Sequence, residues 1–179
     1  MTSLKMLINE VDTNDLEPKG LDTGTGYNID ANKQKKIRIL VSGASGFIGR
    51  RLVRRLLVSP GTTNWSIRCM TRKAQSLSSY FENDRDNLEF VQADVQNYPE
   101  LVKALTGVDV AYYLIHSMEG SSKEWKKFAE RDRIAAENFA RAVNEAGVSR
   151  VIYLGGLTYA PEQELSNHLR SRTEVGEGL

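Results

Sequence analysis

The feature that most restricts the fold of this chain is a glycine-rich turn at residues 43–49, with the sequence Gly-Ala-Ser-Gly-Phe-Ile-Gly. A β-rich apolar run at 37–42 precedes it, and residues 47–58 carry apolar side chains at helical spacing. The pattern stops at Ser-Pro-Gly, residues 59–61. A strand that passes through a tight turn into a helix is the first unit of an α/β fold. We therefore predict a strand at 37–42 and a helix at 47–58.

The rest of the chain continues this alternation of strand and helix patterns. Further strands are predicted at 65–70, 88–93, 108–115 and 149–154. Further helices are predicted at 99–106, 124–146 and from about Asn167 onward. The nearly continuous apolar run at 108–115 is typical of a central strand covered on both faces. The predicted fold class is α/β, a Rossmann-type doubly wound parallel sheet with helices on both faces and ligands at the carboxyl ends of the strands.

Composition restricts the partners and the location of the protein. The 179 residues carry a formal net charge of +1, which gives no reason to expect nucleic acid or an anionic membrane as partner. The apolar runs are too short for a membrane span, and no secretory signal is visible, so we expect a cytoplasmic protein. Residues 1–36 are mostly polar, and we predict a flexible leader there, followed by the Rossmann domain at 37–179.

The single cysteine and the two histidines give no support to a metal site. Cys69 lies in a predicted strand and is expected to be a buried, unreactive side chain. His116 and His168 are far apart and lack metal-ligand spacing with Cys, Asp or Glu. We therefore predict no metal.

The glycine turn has the spacing expected of a pyrophosphate site. Free N–H groups and the positive end of a helix dipole attract phosphates. Gly43 permits the tight turn, Gly46 lets the backbone approach the phosphates, and Gly49 lets the helix pack on the strand. The alternative is an ordinary turn that happens to be rich in glycine. The turn residues predicted to bind a dinucleotide are Gly43, Ser45, Gly46, Phe47, Ile48 and Gly49.

Three further strand ends contribute candidate cofactor contacts. Arg72 and Lys73 follow the second strand, where an NAD site would place an acid, so NADP(H) is favoured over NAD(H). The alternative there is a solvated basic loop. Asp94-Val95 follows the third strand and is predicted to lie near the adenine, unless Asp94 only caps a turn. Leu114 lies at the end of the fourth strand and His116 just after it, where His116 contacts the nicotinamide half, caps the following helix or hydrogen-bonds within a loop.

The glycine spacing Gly-x-x-Gly-x-x-Gly resembles that of the short-chain dehydrogenase/reductase superfamily, in its extended or atypical branch. The similarity runs from Ile37 to the end, through 94–95, 108–114, 132–138 and 151–156. More narrowly, residues 112–118 and 168–176 resemble a subgroup of NAD(P)H-binding, sugar-epimerase-like proteins, which is similar to NmrA-type regulators and quinone-reductase-like proteins. The resemblance implies a dinucleotide cofactor without fixing a reaction or a substrate.

The catalytic positions depart from what the resemblance implies. Catalytic members carry a Tyr four residues before a Lys on the helix after the fifth strand, whereas the aligned positions here hold His168 and Arg172. Thr158 is the candidate for a loop hydroxyl, and the alternative is a loop threonine with no catalytic role. An NADP-dependent oxidoreductase or epimerase-like enzyme is one hypothesis. A non-catalytic NADP(H) sensor, or an accessory or assembly subunit, is the other.

The chain stops where the resemblance implies further strands and a carboxyl-terminal substrate region. We therefore expect the substrate-determining part to be missing, through truncation or because a natural minimal form depends on a partner. An incomplete sheet has an open edge, which favours a homo-oligomer or a partner protein.

Overall fold

Strands and helices alternate along the part of the protein that the computed structural model describes, which is residues 36–59, 64–82, 84, 88–116, 125–156 and 166–179. The strands are β1 (Ile37–Ser42), β2 (Trp65–Thr71), β3 (Leu88–Gln92), β4 (Val110–Tyr113) and β5 (Arg150–Tyr153). The helices are α1 (Phe47–Val58), α2 (Ala74–Tyr80), α3 (Tyr98–Leu105), α4 (Trp125–Ala146) and α5 (Asn167–Glu177). Apart from Lys36, the predicted leader at 1–36 lies outside the described residues.

The five strands form one parallel sheet in the order β3-β2-β1-β4-β5. The chain moves outward from β1 to β3 and then crosses back to the other side of β1, so the order reverses between β1 and β4. Strand β1 pairs with β2 along its whole length, but with β4 only over Ile39–Val41. The predicted Rossmann-type sheet is therefore confirmed, and a crevice opens where β1 and β4 part.

The core lies on both faces of the sheet because side chains along β1 alternate between them. Ile39 and Val41 pack with Val53 of α1 and Leu77 of α2. Leu40 faces the opposite way, into the layer that contains the buried side chains Leu101 of α3, Phe139 of α4 and Val175 of α5. Helices thus cover both faces, as a doubly wound sheet requires.

Two elements differ from the sequence prediction. Strand β4 covers only Val110–Tyr113, because the N–H of Val108 donates to the carbonyl of Leu105 and closes the turn after α3. At its other end the chain leaves the sheet at Leu114 and enters the crevice. Helix α2 was not predicted, since it buries only Leu77 and offers little apolar periodicity.

Three observations on the described residues bear on the expected chemistry. Cys69 is fully buried in β2, and burial raises the pKa of its thiol to about 12, so this side chain is a packing residue. No group of three His, Cys, Asp or Glu side chains in the described ranges is placed to hold a metal ion. No helix within those ranges is long and apolar enough to cross a bilayer.

Candidate functional site

A cleft of about 460 Å³ lies at the carboxyl ends of the parallel strands. It is bounded by the turn after β1, by the ends of β2, β3 and β4, and by one side of α4. Of the predicted site residues, those that line it are Gly43, Ser45, Gly46, Arg72, Asp94, Val95, Leu114 and His116. Its volume falls within the range of small-molecule sites, and its position at the reversal of strand order is where open α/β sheets bind ligands.

The local geometry requires glycine at positions 43 and 49 of the turn and leaves little room for a Cβ on Gly46, which would lie 3.2 Å from the carbonyl oxygen of Gly43. Gly43 has a φ of +66°, in the left-handed region that other residues rarely adopt. The N–H of Gly46 donates to the carbonyl of Gly43 at 2.9 Å, which closes the turn. A Cβ on Gly49 would lie 2.3 Å from the carbonyl oxygen of Gly43 and 2.8 Å from the Cα of Ala44. The turn can therefore form only if α1 approaches β1 without a side chain at position 49.

Helix α1 begins beside the cleft, because its N-cap residue Gly46 lines it, and the first N–H groups of a helix carry a partial positive charge. The first N–H groups of a helix have no partner within the helix, and the glycine N-cap at position 46 provides no side-chain acceptor. The first turn also carries no acidic residue. The side chains of Phe47 and Ile48 are exposed and do not line the cleft, so only their backbones can contribute to an anion site there.

The hydroxyl of Ser42 links β1 to β4 at the base of the crevice. It donates to the carbonyl of Tyr112 at 2.9 Å and accepts from the N–H of Leu114 at 3.2 Å. These bonds join β1 to β4 one step beyond their last paired residues, and Ser42 is fully buried. They also direct Leu114 over the glycine turn, where its carbonyl oxygen lies 3.1 Å from the place that a Cβ on Gly43 would occupy.

A second cavity, of about 380 Å³, opens beside the end of β2. Its lining comprises Ser45, Arg50, Thr71, Arg72, Lys73, Ser76, Leu77 and Tyr80. The buried Thr71 hydroxyl donates to the Ser45 hydroxyl at 3.2 Å and accepts from the N–H of Lys73 at 3.3 Å, which ties the glycine turn to this loop. Sequence reasoning predicted Arg72 and Lys73 but missed Arg50, although this arginine directly follows the last glycine of the turn.

Arg50 is held at this second cavity by an aromatic ring. Its guanidinium carbon lies 4.7 Å from the ring centre of Tyr80, and the guanidinium of Arg54 lies 5.0 Å from the same centre. Tyr80 ends α2, the helix that the sequence did not predict, so the contact could not be inferred from spacing. Cation–π stacking of this kind restricts the rotamers of an arginine while its charge stays available.

Asp94 hydrogen-bonds within a turn, which is the alternative to an adenine contact given above. Its Oδ1 accepts from the N–H of Gln96 at 2.9 Å, and its own N–H donates to Glu100 at 3.0 Å. These bonds shape the loop before α3. Asp94 also lines the cleft, together with Val95, and its contact with an adenine stays a prediction.

His116 is paired with a carboxylate that sequence reasoning did not assign. Its Nδ1 lies 3.0 Å from Oδ2 of Asp132, and the two side chains are only 12% and 7% exposed. The partner lies well inside α4, so this contact is not a cap of that helix. Asp132 also contributes to the raised pKa of Tyr113, after the larger effect of burial. The signal in the sequence was a carboxylate at helical spacing between Phe128 and Ala135, on the inward side of α4.

The three candidates for catalysis are not brought together in the described residues. Thr158 lies outside those residues, and so does the side chain of His168, whose backbone belongs to α5. The guanidinium of Arg172 donates to the carbonyl of Leu154, just after β5. The hydroxyl of Tyr153 donates to the carbonyl of Arg172 at 3.0 Å. Arg172 therefore links α5 to the end of β5 by hydrogen bonds. A catalytic role for Thr158, His168 or Arg172 stays a prediction.

Strand order, glycine turn and cleft together define a nicotinamide-dinucleotide-binding α/β protein. Comparison with known families agrees with this class, since the family model described as NAD(P)H-binding matches residues 43–177. The chain belongs to this NAD(P)H-binding family. The family resemblance of the sequence is thereby confirmed.

Individual relatives match most of this chain, but the match covers less than half of their own length. The auxiliary protein GraX of Staphylococcus aureus is 30% identical over 71% of this chain and 39% of its own length. The decarboxylating sterol-4-alpha-carboxylate 3-dehydrogenase of Mus musculus is 28% identical, over 75% and 33%. Among solved structures, the NADP(H) complex of Citrobacter sp. triphenylmethane reductase aligns with a TM-score of 0.55 and 20% identity, over 79% of this chain and 46% of that one. This chain therefore spans less than half the length of each of these proteins.

Proposed function

We propose that this chain is the dinucleotide-binding part of an oxidoreductase-like protein that prefers NADP(H) to NAD(H). The observation that carries the preference is the basic cavity at the end of β2, next to the glycine turn. The family supplies the cofactor class, and the cavity supplies a place for the one group that distinguishes NADP(H), the 2′-phosphate.

The lining of the cleft offers contacts for each part of a dinucleotide. Gly43 and Gly46 line the cleft without side chains, so a pyrophosphate would approach their backbone there, next to the first N–H groups of α1, at Phe47 and Ile48. The adenosine half would then extend toward Arg72 and Asp94 at the ends of β2 and β3. The other half would cross the crevice toward Leu114 and His116 at the end of β4.

The residues around the second cavity suit a phosphate better than a sugar hydroxyl. Three cations line it, Arg50, Arg72 and Lys73, together with hydroxyl groups such as that of Ser76. No acidic side chain is among the described residues that line it, whereas a site for NAD places a carboxylate at this strand end to accept from the ribose hydroxyl. Guanidinium groups bind phosphate oxygens through paired charge-assisted hydrogen bonds.

The preference is tested by calorimetric titration of the full chain with NADPH and NADH. We expect NADPH to bind at least about tenfold more tightly, since hydrogen bonds to charged groups contribute roughly 1.5–3 kcal/mol. Arg72→Ala should weaken NADPH binding much more than NADH binding and so remove most of this difference. Arg141→Ala is the matched control, because this exposed arginine stacks on Tyr98 at 4.5 Å and lines neither cavity. Equal affinities in the wild type would overturn the assignment.

Turnover is tested separately from binding, with NADPH consumption in the presence of quinones and carbonyl compounds. The family match favours the oxidoreductase-like interpretation over the non-catalytic sensor or accessory subunit. Tight binding of NADPH without turnover of any such compound would favour the non-catalytic sensor or accessory subunit instead. The cytoplasmic location and the association with a second copy or a partner stay predictions.

A further inference from the structure

The two cavities at the carboxyl ends of the strands share part of their lining. Ser45, Thr71 and Arg72 line both of them, so a ligand that lies in the cleft can reach the second cavity across this common boundary. Arg50 of α1 and Tyr80 of α2 line the second cavity and not the cleft. Contacts with these two side chains are therefore open only to a group that extends out of the cleft into the second cavity.

The glycine turn itself determines where Arg50 lies. Arg50 directly follows Gly49, whose close approach to the carbonyl of Gly43 sets α1 against the turn. The N–H of Arg50 donates to the carbonyl of Gly46 at 3.0 Å. The backbone of Arg50 is thus placed by the same turn that would hold a pyrophosphate, and the residue is half-buried.

An anchored aromatic ring holds the guanidinium of Arg50. Its central carbon lies 4.7 Å from the ring centre of Tyr80. That ring in turn packs edge-on against the ring of the buried Phe81, with 4.9 Å between the ring centres. A cation–π contact does not use up N–H donors, and within the described part of the chain no hydrogen bond or ion pair engages this guanidinium. Its donors are therefore available to a phosphate that enters the cavity.

The cations around Tyr80 form a cluster of like charge. Arg54 lies one helical turn beyond Arg50, and its guanidinium carbon is 5.0 Å from the same ring centre. Arg72 and Lys73 line the same cavity as Arg50, and no acidic side chain is among its described lining residues. Like charges at this spacing on a helix repel each other, so a bound anion lowers the free energy of the cluster. A phosphate monoester, with about two negative charges at neutral pH, suits this cluster, whereas a ribose hydroxyl does not.

We propose that Arg50 binds the 2′-phosphate of NADP(H) together with Arg72, and that Tyr80 is a positioning residue that holds the Arg50 guanidinium at the second cavity. This inference rests on the proposed function, since it assumes a dinucleotide whose adenosine half lies at the end of β2. It distributes the preference for NADP(H) over separate elements, because Arg72 follows β2 whereas Arg50 belongs to α1 and depends on α2 for its position.

The first test compares the binding of NADP⁺, NAD⁺ and 2′,5′-ADP by calorimetry at about 0.15 M salt, where charges that do not touch the ligand are largely screened. NAD⁺ lacks the 2′-phosphate, whereas 2′,5′-ADP carries it without the nicotinamide half. Arg50→Ala should weaken NADP⁺ and 2′,5′-ADP by about five- to tenfold, the range of one hydrogen bond, and NAD⁺ by less than about twofold. A similar loss for NAD⁺, no loss for NADP⁺, or a loss that 2′,5′-ADP does not share would each overturn the contact.

Arg54→Ala is the matched control for Arg50→Ala. Both changes remove a guanidinium of α1 that lies over Tyr80, but Arg54 is exposed and lines neither of the two cavities. We expect Arg54→Ala to change the affinity for NADP⁺ by less than about twofold. Equal losses in the two variants would mean that only the net charge matters, and would contradict a direct contact of Arg50.

Replacements of Tyr80 separate positioning from direct contact. Tyr80→Phe keeps the ring and should bind NADP⁺ as the wild type does. Tyr80→Leu removes the aromatic face and should weaken NADP⁺ by about two- to fivefold, with NAD⁺ unchanged. In the Arg50→Ala background, Tyr80→Leu should cost no further affinity, because Tyr80 acts through Arg50. A loss in Tyr80→Phe, no loss in Tyr80→Leu, or additive losses in the double variant would overturn the positioning role.

The failure of this inference can be distinguished from failure of the proposed function. A wild-type chain that binds NADP⁺ and NAD⁺ equally well would remove the proposed preference, and this inference with it. A wild-type chain that prefers NADP⁺, loses the preference in Arg72→Ala and keeps it in Arg50→Ala would remove only the role of Arg50. Circular dichroism of each variant verifies that it is folded, and Arg50→Ala tests the phosphate contact even if Tyr80→Leu does not fold.

Discussion

At the scale of single residues, the most demanding contact of the site is the one between Gly49 and the carbonyl of Gly43. A methyl group at position 49 would come within 2.3 Å of that oxygen, so Gly49→Ala must displace either α1 or the turn. We expect the free energy of unfolding to fall by about 1–3 kcal/mol, as for other overpacked sites, and dinucleotide affinity to fall as well. Chemical denaturation and titration with NADPH measure the two effects.

Gly147→Ala provides the control for this glycine prediction. Gly147 also has a positive φ, +68°, but a Cβ there would have no heavy atom within 4 Å. Its replacement should therefore cost about 1–2 kcal/mol of stability through the backbone alone, and leave dinucleotide binding intact. A Gly49→Ala protein that binds NADPH as the wild type does would show that the close approach is not needed.

The buried thiol of Cys69 predicts a loss of stability in alkali. Its pKa is raised from the ordinary value of 9.0 to about 12 in the folded chain, so above pH 9 the unfolded chain loses the thiol proton first. The free energy of unfolding should then fall by about 1.4 kcal/mol per pH unit until about pH 12 through this group. Comparing wild type with Cys69→Ala across this pH range isolates the effect. Parallel curves for the two proteins would contradict it.

The residues that the sequence revealed are those whose role depends on backbone spacing. Gly43, Gly46 and Gly49 are separated by fixed intervals, and their geometry follows from that spacing alone. The pair of His116 and Asp132 could not be derived in the same way, because it depends on where α4 crosses the end of β4. A helix pattern predicts the inward side of α4 but not the side chain that it meets.

At the scale of secondary-structure elements, β2 is joined to the end of α3 by a buried arginine. Arg68 donates to the carbonyl of Ala104 at 2.6 Å and to that of Thr106 at 3.0 Å, and its Nε lies 2.9 Å from Glu89 of β3. The last carbonyls of a helix lack partners within the helix, so this side chain satisfies groups that would otherwise be buried unpaired.

Replacing this arginine tests the link between helix and sheet. Arg68→Met keeps the apolar stem but leaves the carbonyls of Ala104 and Thr106 without their donor, and we expect a loss of about 1–3 kcal/mol in the free energy of unfolding. Urea denaturation measures it. Arg150→Met, at an exposed position of β5, should change stability by less than about 0.5 kcal/mol. Similar losses in both variants would mean that the buried bonds contribute nothing specific.

The elements themselves were largely predictable, and the exceptions have physical causes. Helices α1 and α4 have long amphipathic patterns, which the fold preserves. The apolar run at 108–115 is longer than β4. Its first residues belong to the turn after α3, and its last residues leave the sheet and enter the crevice. An apolar run in a sequence does not show which of its residues lie inside a strand and which line a ligand cleft.

At the scale of the whole molecule, binding in a cleft that is bounded by four strand ends and α4 should stabilise the entire fold. A ligand that binds only the folded chain adds roughly 2.7 kcal/mol at a hundredfold excess over its dissociation constant. At equal concentrations, NADPH should therefore raise the melting temperature more than NADH does, as measured by thermal shift. Arg72→Ala should bring the two shifts together. A larger shift with NADH would contradict the proposed preference.

The Ser42 hydroxyl at the base of the crevice makes one backbone amide a reporter on the opening of the sheet. The N–H of Leu114 lies past the end of β4, where an amide would ordinarily exchange with solvent quickly, yet it donates to a fully buried oxygen. Its hydrogen–deuterium exchange therefore measures how often β1 and β4 separate at the ligand end. Slow exchange would mean that the two halves of the sheet behave as one rigid platform before any ligand arrives.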